Sequence, residues 1–233
     1  MINIIAVSDV EKNLINKEKK KFDILIGCGD LSPGYMDYIA NEFKTKLAIL
    51  IHGNHDKKFY FGDYKEKNKK FSDTYKGCLV INYGSLNIKK YIKKNITIAG
   101  FSGAMSYGEM PFHFHEKDLK KLKKHYKKKS IDIMISHSPP KVKGVTYDSD
   151  RFHQPSEKLG EIYNEEFPLI WLYGHIHRNY STKKLDYKIT NEKQKISYMI
   201  NASPYKFIGF DEINKKITYV ETIKKVDFVP VNI

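Results

Sequence analysis

Two cysteines, Cys28 and Cys78, in 233 residues leave nothing for a disulfide framework, and a reducing cytoplasm suits such a chain best. No apolar run approaches the ~20 residues that a membrane helix needs, so a spanning segment is excluded. The chain also lacks an internal repeat or a Pro/Ser-rich linker, and residues 1–233 read as one domain. The opening Met-Ile-Asn-Ile-Ile-Ala-Val has no basic leader and turns polar at Ser8-Asp9, which reads as a first strand and not a signal peptide. Arginine is scarce too. Of the 41 basic residues only Arg151 and Arg178 are arginine, although 27 acidic residues leave a net charge of +14. Such a surplus ordinarily points to a polyanionic partner. Nucleic-acid readers favour arginine forks, however, and the lysines accompany Asn, Ile and Tyr, which share A/T-rich codons with Lys. What the chain does have is 41% hydrophobic and 13% aromatic residues, enough for a packed core and too many for a disordered chain.

The apolar residues come in short solid runs at 2–7, 23–27 and 47–51, with a helical segment at about 34–43 between the last two. Runs this short and this apolar fit central parallel strands joined by crossover helices. Further strands are expected near 79–81, 86–91, 96–100, 131–136 and 169–173. An antiparallel finish is expected over 197–201, 206–210 and 216–223. Leu119, Leu122 and Tyr126 recur at helical spacing and predict a helix over 116–129, with acidic residues at its start and lysines at its end. Segment 57–76, lysine-bearing and weakly patterned, is the candidate for a mobile flap.

Chemistry gathers where the apolar runs stop. They end in Ser8-Asp9-Val10-Glu11, Gly27-Cys28-Gly29-Asp30, His52-Gly53-Asn54-His55-Asp56, Ser136-His137 and Gly174-His175-Ile176-His177. In open α/β sheets the carboxyl ends of the strands are where ligands bind. Carboxylates, an amide oxygen and imidazoles without thiolates suit Mn, Fe, Zn or Ni, and argue against a structural zinc or iron–sulfur site. Seven candidate ligands among these residues are too many for one ion but suit two that share a carboxylate. Gly29, Gly53 and Gly174 precede ligand candidates, where the chain has to turn and leave room.

Asp9, Gly29-Asp30, Gly53-Asn54-His55-Asp56, His137 and Gly174-His175-Ile176-His177 follow one another in an order that resembles the calcineurin-like metallophosphoesterases, over residues 4–178. The resemblance implies a two-sheet αββα sandwich of the α/β class. It places Asp9, Asp30 and His177 on a first metal, with Asp30 bridging to a second held by Asn54, His137 and His175. His55 is then no ligand but the general acid or electrostatic stabiliser at the leaving oxygen, oriented by Asp56. Two ions, manganese foremost, roughly 3.5–4 Å apart would make a bridging hydroxide the nucleophile.

The sequence departs from this pattern twice. Glu11 stands where the family usually has histidine, either as the carboxylate ligand of a D-x-E branch or as the mark of a weaker first site. Leu-Ser-Pro-Gly follows Asp30 where phosphoprotein phosphatases carry a second acid and an arginine, which argues against that activity and towards phosphodiesters. The expected function is hydrolysis of a small phosphate ester; the alternatives are a nuclease and a non-catalytic scaffold on the same fold. A nuclease needs aromatic stacking platforms among its basic residues, and none is evident; a scaffold tends to lose the third-motif histidine that His55 supplies. Elsewhere, His113 and His115 alternate as if on one exposed strand face. His153 is a second-shell or substrate-contact candidate, Arg178 a phosphate contact, and Cys28 reads as buried and not reactive.

Overall fold

The computed structural model describes residues 1–16, 19–56, 71–75, 77–106, 112–145, 152–176, 186–222 and 226–233. Numbered in chain order, the strands of the first sheet lie in the spatial order β15 (Lys216–Glu221), β14 (Tyr205–Asp211), β1 (Ile2–Val7), β2 (Ile24–Gly27), β3 (Leu47–Leu50), β5 (Cys78–Ile81) and β4 (Phe71–Tyr75). The second sheet runs β16 (Val229–Asn232), β12 (Tyr187–Thr190), β13 (Ile196–Asn201), β11 (Ile170–Tyr173), β10 (Ile133–Ser136), β7 (Thr97–Phe101) and β6 (Tyr83–Asn87). β8 (Ala104–Met105) and β9 (His113–Phe114) form a small ladder of their own.

The solid apolar runs become strands buried on both faces because each sheet is covered twice. Ile4, Ile26, Ile49, Ile98, Ile135, Leu172 and Ile200 meet between the sheets. The alternate residues Ile5, Val7, Leu25 and Leu50 pack outward under α1 (Pro33–Glu42), which contributes Tyr35, Met36 and Ile39. On the far side, α3 (Glu116–Leu122) and α4 (Glu157–Glu166) cover the second sheet with Leu119, Leu159, Ile162 and Tyr163 against Met134 and Trp171. Each such side chain removed from water stabilises the sandwich by about 1.5–3 kcal/mol. The αββα architecture is the one the resemblance implies. Of these helices α1 and α4 start on a serine cap: Ser32 Oγ accepts from Tyr35 N at 3.2 Å, and Ser156 Oγ from Leu159 N at 3.1 Å. Among the described residues no helix is long and apolar enough to cross a membrane.

Several expectations change. The strand expected at 86–91 stops at Asn87, whose Oδ1 accepts from Lys89 N, and the chain turns into a short helix, α2 (Lys89–Ile92). The helix expected over 116–129 ends at Leu122 and tightens into a 3₁₀ turn at Lys123–His125. Tyr126 follows that turn, fully buried, and its hydroxyl donates to Gly100 O and accepts from Gly84 N. The antiparallel finish holds for β14, which lies between β1 and β15, but β13 joins the other sheet parallel to β11. Within the flap candidate 57–76, residues 71–75 are strand β4 paired with β5; residues 57–70 and 76 lie outside the described residues.

Candidate metal centre

β1, β2 and β3 are neighbours in one sheet, β10 and β11 in the other, and all five run parallel to their neighbours in this group. Their carboxyl ends therefore open on one edge of the sandwich. There the backbone is strained. Asp9, Asp30 and His175 have φ of 62°, 56° and 65°, a left-handed conformation that costs a non-glycine residue about 1–2 kcal/mol. The candidate ligands themselves thus make the turns at the ends of β1, β2 and β11. Gly29 (φ 95°) also turns, but Gly53 and Gly174 serve only by leaving space. A Cβ on Gly53 would stand 2.2 Å from Asp30 Oδ1, and one on Gly174 2.9 Å from Asp9 Oδ2.

His137, fully buried, is the hub. Its Nδ1 donates to Cys28 O at 2.7 Å, which turns Nε2 towards Asn54 Oδ1 at 3.0 Å, Asp30 Oδ2 at 3.2 Å and Asp9 Oδ1 at 4.0 Å. Three oxygens around one ring nitrogen need a cation among them, either a proton on Nε2 or a metal ion. In the metal-free protein burial works against the charged imidazole, but Asp30 and Asp9 outweigh it and raise His137 to about 9. Burial likewise opposes the Asp30 carboxylate, and His137 together with the His55 backbone N–H brings it down to about 2. Asp9, Asp30 and His137 offer ligand atoms within 4.8 Å of one another. Two carboxylates, an amide oxygen and an imidazole whose far nitrogen is spent on a backbone carbonyl form a donor set that fits a divalent transition-metal ion.

His175 stands beside this hub, its ring centroid 5.0 Å from that of His137. Its N–H donates to Asp9 Oδ1 at 3.0 Å and its Nε2 to Phe152 O at 2.9 Å, so Nδ1 is the nitrogen left for a metal. Burial first, then the charge on His137, holds it well below the usual imidazole range. His153 lies against it, with ring centroids 4.9 Å apart, so this candidate does reach the site. His55 is exposed, with its backbone N–H anchored on Asp30 Oδ1 at 2.7 Å. Asp56 is buried, and its oxygens accept from Asp30 N, Leu31 N and Gly53 N at 2.7–3.0 Å. Burial and the neighbouring Asp30 charge push it up to about 7 against the pull of these amides. Its carboxylate thus braces the backbone of two strand-end loops.

Glu11 is exposed and stands apart from the three-residue cluster; its Oε1 accepts from Ser32 N at 2.5 Å, at the start of α1. His177 and Arg178 lie outside the described residues. His113 and His115 do not share a strand face: His113 is half-buried on β9, and His115 is the exposed N-cap of α3, its N–H donating to Asp118 Oδ2. Cys28 is buried, and burial pushes its thiol well above the usual range, as expected of an unreactive cysteine. Sequence reasoning missed Phe152, whose carbonyl fixes His175, and Asn201, whose side chain reaches the same loop from β13. A backbone carbonyl leaves no sequence signal, but Asn201 had one, a polar residue closing an apolar strand.

A family model described as calcineurin-like phosphoesterase matches residues 4–179. No curated protein matches the chain. Among solved structures, one crystal structure is 17% identical with a TM-score of 0.61, covering 95% of this chain and 99% of that one. The crystal structure of TT1561 of Thermus thermophilus is 14% identical with a TM-score of 0.50, covering 96% and 99%. Likeness at these identities shows the two-sheet fold alone.

Proposed function

The chain belongs to the calcineurin-like phosphoesterase family, and from that premise we propose that it is a dinuclear metal-dependent hydrolase of phosphodiesters, built as one domain over residues 1–233. The observation that carries this reading is His137 Nε2 held among the oxygens of Asn54, Asp30 and Asp9. In the proposal Asp9, Asp30, His177 and Glu11 hold one ion, Asp30, Asn54, His137 and His175 the other, and manganese is the ion of choice. Bound there, the ions would supply Lewis acidity that lowers the pKa of water towards neutrality, and fixed positive charge for the phosphoryl oxygens.

The protein's own groups do the rest. Cys28 O and Phe152 O fix which nitrogen of His137 and of His175 faces the centre. Asp56 ties the Asp30 and Gly53 loops into one unit, so their donors do not have to reorganise when substrate arrives. His55, exposed at the mouth and tethered through its amide to Asp30, protonates the departing alkoxide. After Asp30 the chain goes straight into the start of α1, with Leu31 buried and Ser32 capping the helix. Residues 31–34, Leu-Ser-Pro-Gly, offer no cation to neutralise the second charge of a monoester, and a singly charged diester needs none. Glu11 enters the proposal on the D-x-E spacing alone; in the structure one of its oxygens accepts from Ser32 N at the start of α1, and the proposal assigns the other to the first ion. Metal analysis of the purified protein, with matched mono- and diester substrates before and after chelation, tests the whole reading.

A further inference from the structure

We infer that Asn201 is a positioning residue for the turn Gly174–Ile176 that carries His175, and so for metal affinity; the inference rests on the metal reading above. Asn201 ends β13 and lies in register beside Tyr173, the last residue of β11. It is 2% exposed, and its backbone N–H and both ends of its side-chain amide are hydrogen-bonded. The side-chain amide donates to Ile176 O at 2.5 Å, Oδ1 accepts from Ser203 N at 2.9 Å, and the backbone N–H donates to Asp186 Oδ1 at 3.0 Å. Ile176 sits between the two histidines of the motif, and its carbonyl belongs to the peptide that leads into His177. Within the turn, Ile176 N donates to Gly174 O at 2.7 Å, so Asn201 pins a loop that is already closed on its other side. The chain of contacts continues, because Asp186 Oδ2 lies 3.3 Å from the ammonium of Lys206, a buried residue of β14. Asn201 thereby couples the turn fed by the second sheet to a strand of the first, the sheet that carries Asp9 and Asp30. A buried amide satisfied on both of its ends specifies geometry. Groups that orient metal ligands from behind typically cost 10–100-fold in metal affinity when lost.

Calorimetric titration of the metal-free protein with Mn²⁺ tests this. In Asn201→Asp the acceptor for Ser203 is kept while the donor to Ile176 O is lost; Asn201→Ser is the neutral counterpart should the aspartate not fold. Met199→Ala, a core truncation on the same strand, controls for loss of stability alone. The expected result is wild-type Mn²⁺ affinity in Met199→Ala and affinity about 10–100-fold weaker in the Asn201 variants. Asn201 variants that bind Mn²⁺ as wild type does, or a Met199→Ala loss of the same size, would overturn the role of Asn201 and leave the metal reading standing. A wild-type protein that takes up no Mn²⁺ would overturn both.

Discussion

His137 Nε2 lies 3.2 Å from Asp30 Oδ2, an approach between residues that follow strands of different sheets, β10 and β2. The two sheets meet chemically at this point, and a single cation decides how the meeting is stabilised. With no metal, that cation is the proton His137 keeps up to about pH 9; with metal, the proton must leave, since a ligating imidazole is neutral.

Metal uptake at pH 7 should therefore release a proton from His137. A raised folded-state pKa means that the proton is held below about 9, so metal affinity should strengthen as pH rises towards that value and weaken as it falls. Calorimetry in buffers of different ionisation enthalpy measures the release. Uptake without proton release would contradict the assignment of Nε2.

Glu11 can be tested apart from its contact with α1. Glu11→Gln keeps an oxygen for Ser32 N but removes the charge, so it should retain the fold while losing one metal per chain or binding it much more weakly. Glu11→His should recover part of the activity. Full metal content in Glu11→Gln would confine this residue to the start of the helix.

Gly53→Ala should damage the site through space alone. The added Cβ would fall 2.2 Å from Asp30 Oδ1, and relieving such an overlap costs about 1–3 kcal/mol. Thermal unfolding should show that loss together with a fall in metal affinity, because Asp30 has to move. Gly34→Ala, where nothing lies within 4 Å, is the matched control.

His55→Ala should slow an alkyl diester far more than a nitrophenyl diester, whose leaving group is already stable as an anion. Wild type should show the higher kcat/KM on diesters than on matched monoesters. Equal slowing across leaving groups would remove the acid role from His55, and faster monoester turnover would reverse the substrate preference.

The parts of the fold that could be read in advance are those where burial on both faces writes a solid apolar run, as in Ile24–Gly27 and Leu47–Leu50. The polar residues closing these runs pointed to the same edge of the sheets, where Asp9, Asp30 and His137 offer ligand atoms within 4.8 Å of one another. Less was legible where structure depends on distant pairing. β12 is four residues of half-buried Tyr-Lys-Ile-Thr, a strand because β13 and β16 flank it. α4 was legible and went unread: Ser156 caps it, and Leu159, Ile162 and Tyr163 recur at helical spacing. The alternation of His113 and His115 misled because β9 ends at Phe114 and His115 is already the N-cap of α3, so the two do not lie on one strand.

The most direct test of the central claim is phosphoester hydrolysis followed through exhaustive chelation and metal return. Activity should disappear with the metal and come back with Mn²⁺ among the restoring ions, with about two ions bound per chain at full activity. Full activity in protein stripped of metal would contradict the account.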